Sequence, residues 1–386
     1  MDRTAPSPSE AMGAAAGPQA PSLKADAERL SEREHLPLVS IITPTYNHAA
    51  YVEETIESVL NQDYPRIEYI VLDDGSTDGT AEILAKYTGR IRWESHPNMG
   101  ETRTVNKGLS MASGEILGVV NSDDLILPGA VSVLVRALVS HPDALAVYPD
   151  WYYIDANSRV VGYNRSPDYD YRHMVGKHCC TVGPGALFRR RAIELAGLRD
   201  PAFTYVGDFD FWLRVGLHGR MIRVPEALAA FRVHSGSASE AKRGAKMAAE
   251  HIRLVEKLYA LPDLPDEIQA LRREAFCFGY YHAGLSSEAE RSRAASYLVT
   301  AIRYCPQCAF RLWRLLVIVL LPRSVVAVLR KVWRHGRRVA AVTVKAGRCA
   351  GEIPRGRAHN NRPNAPGASA PQNRNRRDDD PGHPSR

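Results

Sequence analysis

Ile67-Glu68-Tyr69-Ile70-Val71-Leu72-Asp73-Asp74-Gly75-Ser76 is an apolar run that stops abruptly on two carboxylates and a turn. The same arrangement returns at Ile116-Leu117-Gly118-Val119-Val120-Asn121-Ser122-Asp123-Asp124. Short apolar runs bounded by turn residues read as buried strands. As parallel strands of one sheet, the two gather four carboxylates at its carboxyl edge, where open α/β sheets bind their ligands. Carboxylates packed that closely raise one another's pKa unless positive charge sits among them. A divalent cation carrying a phosphorylated ligand meets that need most simply.

The flanking segments alternate strand and helix signals. Leu38 to Ile42 reads as a buried strand stopped by Pro44. Between Ala49 and Gln62, Val52, Ile56, Val59 and Leu60 share one helical face and Glu53, Glu54 and Glu57 the other. Asp78 is placed to cap a helix running to about Tyr87. A short strand at Ile91–Glu94, helices over Gly100–Met111 and Pro128–Ser140, and a strand at Ala144–Tyr148 follow. This order predicts an α/β fold: a mostly parallel sheet with helices on both faces. Right-handed crossovers bring the loops carrying Tyr46, Asp74 and Asp124 to one edge. Topology alone does not name a chemistry.

At these residues the chain resembles the family 2 glycosyltransferases. Val39-Ser40-Ile41-Ile42-Thr43-Pro44-Thr45-Tyr46-Asn47, Asp73-Asp74-Gly75-Ser76-Thr77-Asp78, Asn98-Met99-Gly100 and Asn121-Ser122-Asp123-Asp124 match successive motifs of that family. Gly207-Asp208-Phe209-Asp210-Phe211-Trp212-Leu213-Arg214 and Phe231-Arg232-Val233-His234 resemble its later acceptor-side and C-terminal motifs. The resemblance spans about residues 37 to 240, and six motifs in order are a strong signal. It implies a GT-A, Rossmann-like nucleotide-diphosphosugar fold and an inverting transfer supported by Mg²⁺ or Mn²⁺.

The resemblance also implies roles. Pro44, Tyr46, Asp74, Arg103 and Asp123 are the candidates to face the nucleotide, with the Tyr46 ring stacking on a base. Asp124 is the candidate metal ligand, with His234 as a further one, and Asp208 occupies the position of the catalytic base. The chemistry asks for these residue types: a hard cation held by carboxylates neutralises a diphosphate leaving group, and a positioned carboxylate takes the proton of an attacking hydroxyl. The chain departs from the family pattern at Gly207, where many members carry Glu, and Asp210 is a rival for the base.

Plainer readings stand beside these. Asp73-Asp74-Gly75-Ser76 is also a good turn and helix cap, although its recurrence at Asp123-Asp124 favours a site. Tyr46 also fits as packing at a strand end, Asp123 as a cap, His234 as a satisfied loop histidine, and Arg103 as part of a solvated helix face. Phe211 and Trp212 read as core. Gly183-Pro184-Gly185, before Ala186-Leu187-Phe188-Arg189-Arg190, either lines the acceptor side or is a turn into a buried strand.

Composition sets the outer limits. The chain has 386 residues, 45% hydrophobic content and a formal charge of +7, with Arg and Lys concentrated over residues 311–357. Residues 1–35 read as a disordered leader without an apolar signal core, and a cytoplasmic location follows. Six cysteines show no disulfide framework, which suits a reducing compartment, and Cys305-Pro-Gln-Cys308 lacks the second pair of a metal site. A GT-A domain is expected over 36–240, a helical extension over 241–340 and a disordered basic tail over 341–386. Residues 311–335 combine apolar residues with flanking arginines, too short a run for a membrane span. They suit either contact with an anionic membrane at its inner face or closure of a C-terminal core.

The expected partners are a nucleotide-diphosphosugar donor, more readily a UDP-sugar, and a glycan or lipid-linked acceptor. A sugar nucleotidyltransferase is the nearest alternative, though no Gly-rich basic loop near the N-terminus is present to hold a triphosphate. A nucleic-acid-binding protein acting through the basic tail is the third class. No reader module accompanies that tail, so no specific nucleic acid is expected.

Overall fold

A computed structural model describes residues 36–234, 244–287 and 289–308. The expected leader 1–35, the stretch 311–335 expected either to contact a membrane or to close a core, and the expected tail 341–386 lie outside the described residues. No helix among the described residues is long and apolar enough to cross a membrane.

The first half alternates as expected: β1 (Val39–Thr45), α1 (Val52–Leu60), β2 (Ile67–Asp73), α2 (Thr80–Ala85), β3 (Arg92–Ser95), α3 (Glu101–Met111), β4 (Ile116–Val119), β5 (Leu125–Ile126) and α4 (Ala130–Val139). Then come β6 (Ala144–Ile154), β7 (Val160–Asn164), α5 (Tyr171–Gly176), β8 (Leu187–Arg189), α6 (Arg190–Ala196), α7 (Gly207–Gly216) and β9 (Arg220–Arg232). Four helices follow: α8 (Ala245–Tyr259), α9 (Asp266–Gln269), α10 (Arg272–Ser286) and α11 (Arg291–Tyr304).

The strands form one sheet in the order β3-β2-β1-β4-β8-β6-β9-β5, with β7 added on β6. The predicted parallel block is β3-β2-β1-β4. The rest is mixed, since β8 runs antiparallel to β4 and β6 whereas β9 runs parallel to β6. Alternating strand residues divide the interior into two layers. Ile42, Ile70 and Leu117 pack with α3, α7 and α8 on one face, and Ile41, Val71 and Ile116 pack with α1, α2 and α4 on the other. Gly108 is where α3 comes closest to the sheet, since a Cβ there would lie 2.4 Å from Ile42 Cγ2.

Pro44 does not stop β1. It pairs with Leu72 inside the β1–β2 ladder. Residues 42 and 44 turn their backbone polar groups to the β4 side, and β4 ends at Val119 with the Val120 N–H on Ile42 O. No neighbouring carbonyl there asks Pro44 for the N–H it lacks. A second departure concerns the cysteines: Cys179 and Cys305 are disulfide-bonded, whereas Cys180 and Cys277 are free.

Behind α7 lies a group of histidines. His178 Nε2 is 3.0 Å from His251 Nδ1, and the His282 ring is centred 5.4 Å from both. Burial holds all three below the ordinary histidine pKa: His178 well below it, His251 down to about 3 and His282 down to about 4. Their unfolded values near 6.5 are higher, so below about pH 6.5 the unfolded chain binds more protons than the folded one. Stability should therefore fall as pH drops through 6.5, by up to about 1.4 kcal/mol per pH unit for each histidine, and be unaffected by this group above it. Urea midpoints measured between about pH 5 and 7.5 should rise and then level off; a flat profile below 6.5 would contradict the buried, neutral cluster.

Candidate functional site

The site is built at the carboxyl ends of β1, β2 and β4. Tyr46 leaves β1 with 47% of its surface exposed. Asn47 follows in the left-handed region at φ 54°; its N–H donates to Ser76 Oγ at 2.8 Å and its Oδ1 accepts from the Thr77 N–H at 2.8 Å. Asp78 accepts from the Ala49 N–H at 2.9 Å and the Thr80 N–H at 3.1 Å. The expected capping residue thus also ties the loop after β1 to the loop after β2.

Asp73 and Asp74 face inward. Asp73 accepts from the Ser76 N–H and Ser95 Oγ. Asp74 accepts from the Met99 N–H at 2.7 Å and the Gly100 N–H at 2.9 Å, which brings the Asn98-Met99-Gly100 motif against β2. Gly75 permits that approach, with φ 78° and only 2.9 Å between a would-be Cβ and Asn98 N. His96 Nδ1 lies 3.5 Å from Asp74 Oδ1, and the buried His96 Nε2 has no hydrogen-bond partner in the protein. Such an atom favours a ligand's polar group, because leaving it unmet costs about 1–3 kcal/mol. Arg103 is exposed in the first turn of α3.

The neighbours Asp123 and Asp124 part company. Asp123 Oδ2 lies 3.1 Å from His234 Nε2. Donor atoms of His48, Asp123 and His234 all lie within 4.8 Å of one another, the group among the described residues that could hold a metal ion. His48 Nδ1 is 2.7 Å from Ser122 Oγ, leaving Nε2 as its other ring nitrogen; a hydrogen bond of this kind fixes a ligating imidazole. Burial lowers the His48 pKa, partly opposed by the Asp123 charge, and a neutral imidazole is the form that ligates. Asp124, the residue expected to bind metal, is outside this group. It is 3% exposed and its Oδ1 accepts from the Arg232 N–H at 2.9 Å. Burial, then the Asp123 charge, pushes its pKa well up.

Arg232 organises this region and was not singled out in the sequence. Its side chain is 1% exposed. Nε donates to the Asp123 carbonyl at 2.8 Å, Nη1 to the Asp155 carbonyl at 3.1 Å and Ser158 Oγ at 2.8 Å, and Nη2 to Glu54 at 2.6 Å. The guanidinium also sits 4.9 Å over the Tyr51 ring. His234 follows two residues later, its segment held by the Val233 N–H on Ile154 O.

On the acceptor side, Asp208 and Asp210 are both in the first turn of α7. Asp210 is 2% exposed and fully engaged: Arg214 donates from Nε at 3.0 Å and Nη2 at 2.8 Å, and Lys257 Nζ lies 2.7 Å from its other oxygen. Asp208 is exposed. Of the two, Asp208 alone is open to solvent. The preceding loop reaches the donor side, because Thr102 Oγ1 of α3 donates to the Phe203 carbonyl at 2.9 Å. Phe211 and Trp212 are core, as expected, and Gly183-Pro184-Gly185 leads into the buried β8, with the Trp151 ring against Gly183.

Residues 40–195 match the model of the family Glycosyl transferase family 2. An uncharacterized glycosyltransferase of Rickettsia typhi is 31% identical over 219 residues, which are 53% of this chain and 67% of that protein. A chondroitin synthase of Pasteurella multocida is 34% identical over 199 residues, 49% of this chain but 20% of the synthase. Among solved structures, TarS of S. aureus in complex with UDP-GlcNAc superposes with a TM-score of 0.55 at 19% identity, covering 78% of this chain and 92% of that one. A mannosyltransferase of Pyrobaculum calidifontis in complex with GDP-Man and Mn²⁺ gives 0.51 at 18% identity, covering 80% and 82%. Both are likenesses of fold.

The clamp made by Arg232 is testable on its own. Arg232→Met would leave the Asp123 and Asp155 carbonyls and Glu54 without their donor, a loss of about 2–4 kcal/mol in urea denaturation. Arg232→Lys should recover only part of it, because an ammonium cannot reproduce the fork. A loss below about 1 kcal/mol for the methionine variant would rule the clamp out as a structural determinant.

Proposed function

We propose, starting from the fact that this chain belongs to glycosyltransferase family 2, that it moves a sugar with inversion from a nucleotide-diphosphosugar to a hydroxyl of a glycan or lipid-linked acceptor. A UDP-sugar is the leading donor. The observation that carries the reading is the donor group His48, Asp123 and His234, beside the ends of the strands that carry Tyr46 and Asp74.

Two imidazoles and one carboxylate suit Mn²⁺ better than Mg²⁺, which prefers an all-oxygen shell. When bound, a divalent cation neutralises charge on the diphosphate leaving group. The chain's own residues do the rest. Pro44 and Tyr46 line the base, with the half-exposed Tyr46 ring stacking on it. Asp74 and the unpartnered His96 Nε2 offer polar contacts at the base, and Arg103 reaches the diphosphate.

Asp208 takes the proton of the acceptor hydroxyl as that oxygen bonds to the anomeric carbon. The bond from the anomeric carbon to the diphosphate oxygen breaks in the same displacement, and its electron pair leaves with the nucleoside diphosphate. Attack opposite the leaving group inverts the centre. Asp210 cannot take this part while Arg214 and Lys257 hold its oxygens.

The test is a panel of UDP- and GDP-sugars with Mn²⁺ or Mg²⁺, read as nucleoside diphosphate release. Asp123→Asn should abolish metal-assisted binding of UDP in calorimetry. Asp208→Asn should keep that binding and lower turnover by about 100-fold or more. Pyrophosphate release from a nucleoside triphosphate and a sugar phosphate would point instead to a nucleotidyltransferase, and unchanged UDP affinity in Asp123→Asn would dismiss the metal assignment.

A further inference from the structure

We infer that Glu250 on α8 is a positioning residue for Asp208, so that the helical extension sets the geometry of the catalytic base. The inference rests on the proposed role of Asp208. Glu250 is 7% exposed and lies 42 residues downstream of Asp208 in the chain (250 − 208). Its Oε1 accepts from the Thr204 N–H at 2.9 Å, and its Oε2 accepts from the Tyr205 N–H at 2.7 Å and the Val206 N–H at 3.3 Å. These three residues run directly into Gly207-Asp208. Hydrogen bonds to an ionised carboxylate are about twice as strong as neutral ones, so this one side chain fixes the path by which the backbone enters α7.

Two further residues on the same face of α8 support the grip. Arg253 and Lys257 follow Glu250 at helical spacing. Arg253 Nη1 donates to the Ala202 carbonyl at 3.0 Å, and Lys257 Nζ lies 2.7 Å from both Asp200 and Asp210. The segment from Asp200 to Asp210 is therefore held along its length by α8. Asp208, exposed near the end of that segment, accepts from the Phe209 N–H at 2.7 Å through Oδ1 and leaves Oδ2 to an acceptor. Gly207 adds no side chain of its own; a Cβ there would already lie 3.3 Å from Thr102 Oγ1. The carboxylate that steadies this turn comes from a distant helix instead of from the residue beside the base.

A base displaced by about 1 Å loses on the order of 100-fold in rate while distant binding contacts are untouched. Glu250→Gln keeps the shape of the side chain, loses its charge and one acceptor, and turns an NH₂ toward backbone N–H groups. It should lower kcat, read as UDP release from the accepted UDP-sugar, by about 10- to 100-fold. UDP affinity with Mn²⁺ in calorimetry should stay within about twofold. In an Asp208→Asn background the same change should have no further effect on residual turnover, because both act through one group. Should Glu250→Gln not fold, Glu250→Asp, which keeps the charge on a shorter reach, should show a smaller loss of kcat with the same unchanged UDP affinity.

Wild-type kcat in Glu250→Gln, parallel losses of kcat and UDP affinity, or full additivity with Asp208→Asn would each overturn the inference. An inactive Asp208→Asn beside a fully active Glu250→Gln would defeat the positioning role alone. An active Asp208→Asn would remove the base assignment from which it proceeds.

Discussion

A guanidinium buried to 1% exposure is the constraint on which the sheet edge carrying Asp123 and His234 depends. Such a charge is tolerated only if its donors are met and its counter-charge is near. Arg232 meets the condition by drawing in α1 through Glu54, the loop after β4 through Asp123, and the turn between β6 and β7 through Asp155 and Ser158. None of these segments can shift without orphaning part of the fork. The same strand end carries His234, so the constraint that holds the loop of Asp123 also delivers the imidazole facing it. The meeting of Asp123 with His234 is a consequence of satisfying one buried cation.

The carboxylates crowded at this edge are then sorted by what each can reach. Asp73 and Asp74 spend their acceptor capacity on the loop after β2, on Ser95 of β3 and on the loop after β3. Asp124 turns inward to the Arg232 N–H, where burial and the Asp123 charge favour its protonated form. Asp210 lies between Arg214 and Lys257. Asp123 and Asp208 are left, the first facing imidazoles and the second facing solvent. Repulsion among the neighbouring acids is eased by the protein's own Arg232, which bonds Asp124 through its N–H and the Asp123 carbonyl and Glu54 through its guanidinium.

Within the parallel block β1, β2 and β4 were legible because they are mostly buried and read as apolar runs, while the largely exposed β3 was legible only as the next step of the alternation. β5, with two residues, was not legible, being too short to establish any period, whereas β8 was readable as a buried strand only from the Gly183-Pro184-Gly185 turn before it. Pro44 misled because a proline's effect depends on whether the neighbouring strand extends far enough to need its N–H, and β4 does not. The site was legible to the level of motifs and no further. Sequence spacing placed Asp123 and Asp124 together, but which one faces the cleft is decided by Arg232, 108 residues away from Asp124. His48 lay unnoticed beside Tyr46-Asn47, and Glu250 sat in a segment whose only visible property was helical periodicity.

Composition changes near residue 240, yet the core does not. Leu254, Val255, Leu258 and Phe276 belong to the same buried cluster as Ile42, Phe209 and Trp212, so α8 and α10 complete a layer of the sheet. The family match ends at residue 195, which leaves Asp208, Arg232, His234 and Glu250 beyond it. The loops carrying Tyr46, Asp74 and Asp123 lie inside the matched residues. The segment entering α7 is held both from α8, beyond those residues, and from α3, within them. The segment from Asp200 to Asp210 is thus held jointly, by Glu250, Arg253 and Lys257 of α8 and by Thr102 of α3, so the extension and a helix of the sheet layer together set how the chain enters α7.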